Sequence, residues 1–509
     1  MTVDRIIRSA RINAGLTVKA AAEKCGVAEQ LIKAWECGVA EPTNEQLAAL
    51  RDVLDMGGCG VPQPDIPEID SGESYSAQLM TEYRQCVDEG LDIAEYEELF
   101  KAAAKLPMNE ARERIADTIY SAVASAAVRS DYEYCEPERL CDIKRCREKA
   151  PVKKTPDPAA LESKIIGAWY GRICGCLLGK AFEGIRTEEL IPVLKATGNY
   201  PMHRYVLRSD LTDEMIEKTQ FCLDNGSHID ELDHAPSDDD TNYMVLYQEL
   251  IAKYGRGFTS RDVMNFWLSR QARYAYFTAE RVAFDNAVKG FAPPDTGRYK
   301  NPYREWIGAQ IRADYFGYIN PGDPEAAADM AYRDAVVSHV KNGVYGEMYF
   351  AALIAAAAVE SDMRKAIISA LATIPQKSRF YANVMQIVRQ FDGGVAEEEC
   401  FAGIHERWDE HDGHGWCHVL SNAQIVIASL LYGGGDYGKT ICRAVQTGFD
   451  TDCNAATAGS VLGMMNGIGS IDSEWTAPIN GRLDTQIFGV GTVNIDDRAA
   501  LTLEHIKKA

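Results

Sequence analysis

The sequence is short of positive charge: 53 Lys and Arg stand against 75 Asp and Glu in 509 residues, a net charge of −22. That balance argues against the whole chain binding nucleic acid or an anionic membrane, and it leaves carboxylates to spare. No apolar run reaches the ~18 residues a membrane span needs; the nearest, YFAALIAAAAV at 349–359, reads as a buried helix. The charged start, MTVDRIIRSARINAG, lacks the apolar core of a signal peptide. A cytoplasmic protein with no membrane partner is therefore expected, its fourteen cysteines reduced. Two glycine series spaced by four occur, but neither follows a strand pattern or carries a GK[ST], so they are not phosphate loops. No Ser–His–Asp arrangement for a nucleophilic hydrolase is visible, and alternating strand patterns are scarce.

What is present divides into three parts. Residues 4–55 have their own start, periodicity and stop, and MGGCGVPQPDIPEIDSG (56–72) after them reads as a linker. Residues 75–147 repeat apolar positions near the helical period, in SAQLMTEYRQCVDEG, IAEYEELFKAAAKL and NEARERIADTIYSAVASAAV. They predict a helical spacer or dimerisation region with a solvated charged face. Cys135, Cys141 and Cys146 there lack a fourth ligand for zinc. A second linker, REKAPVKKTPDPAA, precedes residues 161–495, whose patterns are Ala/Gly-rich and mainly helical. The expected fold class is all-α.

In RIIRSARINAGLTVKAAAEKCGVAEQLIKAWECGVAEPTNEQLAALRDVL, Thr17 is placed to cap a second helix and Gly26 to turn the chain. Ala21, Ile32 and Trp35 are placed to fill a core, and Pro42 to mark the loop before the next helix. The segment resembles the helix-turn-helix domain of phage repressors of the Cro/C1 type. The resemblance implies a recognition helix near 28–36 that offers Glu29, Gln30 and Lys33 to the major groove of double-stranded DNA. Residues 1–55 hold seven Lys/Arg against eight Asp/Glu, so phosphate attraction is weak and binding calls for a homodimer. A protein-interaction or relic role is the other reading.

The stretch GAWYGRICGCLLGKAFEG spaces Gly167, Gly171, Gly175 and Gly179 by four and is closed by Glu183. Glycine costs a helix roughly 1 kcal/mol per residue against alanine, so such a stripe predicts a helix packed nearly backbone to backbone on a partner. GFDTDCNAATAGSVLGMMNG offers one, with glycines at 459, 463 and 467 behind Asp450 and Asp452. PSDDDTNYMVLYQELI supplies a third acidic cluster, Asp238, Asp239 and Asp240. Ser237 with Asp240 also fits a capping box, and Asp450 or Asp452 a cap. Three successive aspartates exceed what a cap requires, and carboxylates at converging helix starts suit hard divalent cations.

These three regions, in this order, resemble the signatures of the ADP-ribosylglycohydrolase family over about 161–495. The resemblance implies an all-α domain that binds two divalent ions, Mg²⁺ or Mn²⁺, and hydrolyses the glycosidic bond between ADP-ribose and an acceptor. Carried over, Asp239, Asp240, Asp450 and Asp452 are metal ligands, Glu183 lies beside the metals as the proton-handling residue, and Asp240 shares the catalytic centre. Asp238 and Cys453 replace the family's metal-binding threonines. They give six carboxylates against the four charges of two ions, and a soft thiol that admits zinc.

Further pocket residues are expected nearby. His339 resembles the family's histidine near ADP-ribose, with Gly343, Tyr345 and Gly346 in a tight turn beside it. Arg312, in WIGAQIRADYFGYINPGDP, suits a phosphate or ribose, or else pairs with Asp314 to brace the core. His405, His411, His414 and His418 suggest zinc or, more in keeping with their Asp/Gly content, a mobile loop. That loop would turn His418 and Asn422 to the pocket and stack Trp416 on a base. Besides an ADP-ribosyl hydrolase, two readings stand: a metal-dependent N-glycosidase of a small nucleoside-like molecule, and a transcription regulator whose hydrolase-like domain senses a ligand.

Overall fold

The computed structural model describes residues 3–40, 42–54 and 74–508; the linker expected at 56–72 lies outside them. The chain is 64% helical. Among the described residues the one strand pair is Arg482–Leu483 with Val493–Asn494, antiparallel. The all-α expectation holds. No helix among the described residues is long and apolar enough to cross a membrane, and 349–359 falls mostly within the buried helix Lys341–Ala357.

Four helices open the chain: Val3–Asn13, Val18–Cys25, Glu29–Glu36 and Asn44–Leu54. The Thr17 hydroxyl accepts from Ala20 N at 3.1 Å and starts the second; Gly26, at φ 67°, ends it. Ala21, Ile32 and Trp35 are buried together. Across this core Arg11 donates to Glu36 at 2.6 Å, an ion pair shut away from water.

Residues 75–147 carry the helices Leu79–Asp88, Glu97–Ala104, Glu110–Val123 and Leu140–Arg145, the first three around a small core of Leu79, Phe100 and Ile119. Their charged face is solvated only in part: Glu98, Glu110 and Arg114 are exposed, but other charges are buried. Glu82 and Glu89 are buried against Arg304, at 2.8 and 2.6 Å, and Lys341 reaches Glu89 at 2.6 Å. Gln85 donates to Glu305 at 2.8 Å, and Arg379 joins Glu136 and Glu305 at 2.7 and 2.8 Å. The complementary cations lie more than 200 residues away, which periodicity cannot reveal. Nor is 147–160 a free tether: Arg147 pairs with Glu325 at 2.7 Å and Lys154 N donates to Gly322 O at 2.8 Å. Cys135 and Cys146 bring their sulfurs to 3.7 Å, while Cys141 turns to Asp142.

One further expectation fails. Cys37 and Cys222 form a disulfide, Cα–Cα 5.6 Å, so the cysteines are not all reduced.

The large helical part is organised on two helices, Pro158–Lys180 and Thr451–Asn466. Asp157 caps the first, accepting from Ala159 N at 3.0 Å. Its glycines meet the second helix row by row: Gly167 faces Gly463, Gly171 faces Gly459, Gly175 faces Ala455 and Gly179 faces Thr451. A Cβ added at any of these four glycines would fall inside the partner's backbone. The helix Asp239–Tyr254 crosses beside the pair. The tight turn expected at Gly343, Tyr345 and Gly346 is instead the first turns of Lys341–Ala357. That helix is buried from Asn342 onward, with Glu347 as its one buried charge, and Gly346 lets Val419 approach.

Gly171→Ala should lower stability by about 1–3 kcal/mol, because even a methyl group overpacks the Gly459 backbone. Gly257→Ala, where an added Cβ meets nothing within 4 Å, should stay within about 0.5 kcal/mol. Urea unfolding midpoints compare the two; equal midpoints would refute the backbone-to-backbone contact.

Candidate active site

The glycine contact determines where the acids meet. At its end the Thr451 hydroxyl donates to Gly179 O at 2.9 Å, so the last turn of one helix abuts the first turn of the other. Glu183, just beyond the first helix, thus comes beside Asp452. Asp238 starts the third helix by accepting from Asp240 N at 2.9 Å. The cap is therefore Asp238 and not Ser237, which accepts from Gln486 at 3.4 Å. Asp450 stands at the start of Thr451–Asn466 but makes no side-chain cap bond.

Three overlapping sets of ligand atoms, each within 4.8 Å of one another, result: Glu183, Asp238 and Asp452; Asp240, Asp452 and Cys453; and Cys176, Asp238 and Asp240. Glu183 lies at the rim, its side chain 45% exposed; Asp238, Asp240, Asp452 and Cys453 are buried, and Asp239 is half-buried beside them. Asp450 is buried next to them, with the Cys417 thiol 3.6 Å from its carboxylate.

Two cations serve this centre. Arg172, fully buried, donates to Asp240 Oδ1 and Asp240 O, both at 2.7 Å, and pairs with Asp314 at 2.8 Å. Lys180 pairs with Asp238 and lies 3.8 Å from Glu183. The count of six carboxylates against two divalent ions thus omitted two positive charges.

Burial, then mutual repulsion, pushes the carboxyls of Asp239 and Asp452 well above their ordinary range. Burial does the same to Asp240 against the pull of Arg172. Desolvation in the cleft raises Glu183, with Asp238 and Asp450 adding to it and Lys180 opposing. Asp238 goes the other way: burial opposes, but Lys180 holds it down. Asp240 Oδ2 and Asp452 Oδ1 are buried with no hydrogen-bond partner. Such oxygens are costly unless protonated or bound to a cation, and a largely oxygen donor set suits a hard divalent ion. The residues fit a metal.

A family model for ADP-ribosylglycohydrolase matches residues 157–500, more than half of the chain. The chain belongs to the ADP-ribosylglycohydrolase family. A helix-turn-helix family model matches residues 7–57. A solved structure titled "ADP-ribosylglycohydrolase-related protein complex" is 18% identical with a TM-score of 0.41, covering 69% of this chain and 99% of that one. No match was found among curated proteins. The family is in general dependent on divalent metal, and the acidic sets described above are candidates to hold it.

Several residues expected in the pocket lie elsewhere. Arg312 is buried and engages Glu280, Asp334 at 2.6 Å and Glu347 at 3.5 Å, so it braces the core, though not through Asp314. Tyr345 donates its hydroxyl to Pro137 O, away from the acids. His339 is buried, bonded to Ser338 at 2.8 Å, and burial drives its pKa well below the usual value. Asn422 supports the site from behind: its carbonyl accepts from Asp450 N at 3.3 Å and from Asn454 at 2.8 Å.

The four histidines form no common site. His405 meets Thr447 O at 3.0 Å, and His411 lies 3.5 Å from Glu188. His418 is buried between Trp408 and His414, so it does not face the pocket. His414 and His418 approach Asp88, yet each ring accepts an N–H at Nδ1, from Trp306 and Leu420, both at 3.1 Å. Each Nε2 must then carry the proton, which leaves no lone pair for zinc. Trp416 has Arg186 over its ring at 5.6 Å.

Arg172, Cys176 and Lys180 escaped the sequence reading. Each directly follows a glycine of the stripe, so they share its spacing of four and form the adjacent row on the helix.

The raised carboxyls imply proton release when a cation binds. Mn²⁺ affinity should therefore fall as pH drops from 8 to 5.5, with about one or more protons released per ion; calorimetry in buffers of different ionisation enthalpy measures both. The same carboxyls bind protons more tightly in the folded than in the unfolded chain, so their contribution to metal-free stability is lost as pH rises through the folded pKa values. Mn²⁺ should raise Tm more at pH 8 than at pH 5.5. An equal rise would reassign the binding site.

Proposed function

We propose that the protein is a divalent-metal-dependent hydrolase of the glycosidic bond joining ADP-ribose, or a related ribosyl compound, to its acceptor. The observation that carries this reading is the pair of partnerless buried oxygens, Asp240 Oδ2 and Asp452 Oδ1, beside Glu183 at the cleft rim. Asp238, Asp239, Asp240, Asp450 and Asp452 would hold one or two ions, Mg²⁺ or Mn²⁺, with Cys453 alongside. When bound, such ions supply Lewis acidity and a template for ribose hydroxyls. Glu183 takes the proton from the water that attacks the anomeric carbon; its raised pKa brings it nearer the working pH. Arg172 fixes Asp240 through one contact to its carboxylate and one to its backbone carbonyl, and Asn422 fixes the chain at Asp450. Lys180, paired with Asp238, offsets the anion that stands in place of the family's threonine.

Asp452→Asn should lose Mn²⁺ binding and hydrolysis together. Glu183→Gln should keep Mn²⁺ and lose about 10²–10⁴ in kcat. Calorimetry and product release from ADP-ribosylated peptides, O-acetyl-ADP-ribose and nucleosides test both; unchanged turnover in Asp452→Asn would sink the assignment. Hydrolysis of the nucleosides alone would favour the N-glycosidase reading.

For residues 4–55 we propose double-stranded DNA as the partner, contacted by two copies of the chain. Gln30 and Lys33 are exposed and Glu29 is half-buried, Lys33 lying 3.6 Å from Glu29. Selection from random duplexes at low salt should enrich a two-part site, and Lys33→Glu should abolish the enrichment without changing hydrolysis. No enrichment would leave the segment as a protein-interaction module.

A further inference from the structure

The helix-turn-helix unit lies against the hydrolase part beside the acidic centre. Arg8, almost wholly buried, donates to Thr219 O at 2.7 and 2.9 Å and to Ile216 O at 2.5 Å. Ser9 donates to Gln220 at 2.9 Å, and Cys37 is bonded to Cys222. Between the two parts is a cavity of about 410 Å³. Arg8, Ser9 and Glu36 line it from the helix-turn-helix side; Lys180, Glu183 and Arg186 line it from the other. Its floor therefore includes the proposed proton acceptor, and its roof is the end of the recognition helix.

We infer that the helix-turn-helix unit is the lid of the catalytic cleft, held by Cys37–Cys222, and that it restricts the cleft to small, free ribosyl compounds. The inference rests on the ribosyl-hydrolase reading for its substrate half. The volume lies within the roughly 300–1,000 Å³ of small-molecule sites, so a nucleotide-sized ligand fits beneath the roof. Residues 8, 9, 36 and 37 line the same cavity as Glu183, so a bulky protein carrier on the ligand would meet the helix-turn-helix unit. Three cations, Arg8, Arg186 and Lys180, and three carboxylates, Glu36, Glu183 and Glu189, line the walls. Arg8 is engaged by Glu36 and by the carbonyls of 216 and 219, so the lid contributes exclusion rather than recognition. Arg8, with three bonds to the carbonyls of 216 and 219, and the disulfide together hold the unit in place. Cys37 and Cys222 are both half-buried and open to exchange. A dithiol opens the latch: one thiolate attacks a sulfur and displaces the other cysteine, which takes a proton. The second thiol then closes a cyclic disulfide on the reagent and releases the remaining cysteine. Two electrons and two protons pass to the protein.

The test uses the full chain with Mn²⁺, air-oxidised or reduced with dithiothreitol, and the Cys37→Ser chain. Cys37 and Cys222 should resist alkylation until reduction, and hydrogen exchange at 180–186 and 216–226 should quicken after it. Free ADP-ribose should bind both states within about 3-fold, whereas a mono-ADP-ribosylated globular protein should bind about 10-fold or more weakly to the oxidised chain. Cys37→Ser should match the reduced protein; if it does not fold, the dithiothreitol arm decides. Alkylation without reductant, unchanged exchange, or equal binding of the protein-linked ligand in both states overturns the lid. If neither probe binds in either state, the ribosyl reading fails and the substrate half falls with it, while alkylation and exchange still decide the lid.

Discussion

The site depends on backbone touching backbone. Helices bearing ordinary side chains pack with axes 8–10 Å apart, and at that distance the chain ends carrying Glu183 and Asp452 would not share a cation. The glycine rows let Gly171 and Gly459 face each other across bare main chain, and the Thr451 hydroxyl locks the junction to Gly179 O. The conformational cost of the glycines is offset by contact along the whole stripe. With that contact fixed, the row one residue on points Arg172, Cys176 and Lys180 toward the third acidic helix.

Shared guanidinium groups recur as the means by which an acidic chain buries its charge. Arg172 serves Asp240 and Asp314; Arg312 serves Glu280, Asp334 and Glu347; Arg304 serves Glu82 and Glu89. The planar fork suits this, since its donors meet several carboxylates at once. In each place removing the arginine would leave at least one buried anion without its cation, a loss typically of about 3–5 kcal/mol.

The sequence was informative where one helix carries its own signal. The glycine spacing announced a close helix pair, Thr17 and Gly26 announced the ends of a helix, and the three acidic clusters announced a common point. It was uninformative where a side chain's partner comes from distant chain. Arg312 could equally have faced a ligand, and only Glu280, Asp334 and Glu347 show that it does not. His339, His418 and Tyr345 carry no mark in the sequence that separates them from pocket residues, so their burial follows from packing alone. Cys37 and Cys222, 185 residues apart, carry no local mark of pairing. Lys180 was in view but unread, because a lysine ending a helix already has an ordinary role there.

The ion network around Glu305 bears on modularity. Three apolar cores suggest three exchangeable cassettes, yet Arg304, Lys341 and Arg379 take their counter-charges from residues 82, 89 and 136. A cut anywhere in 147–160 would strand Glu82, Glu89 and Glu136 on one fragment and Arg304 and Lys341 on the other, while Arg379 would keep only Glu305. In a graft or fusion, residues 75–508 must therefore move as one inheritable block. The natural place to exchange a neighbour is ahead of residue 74, where the partner unit is held by one covalent clasp and a few carbonyls.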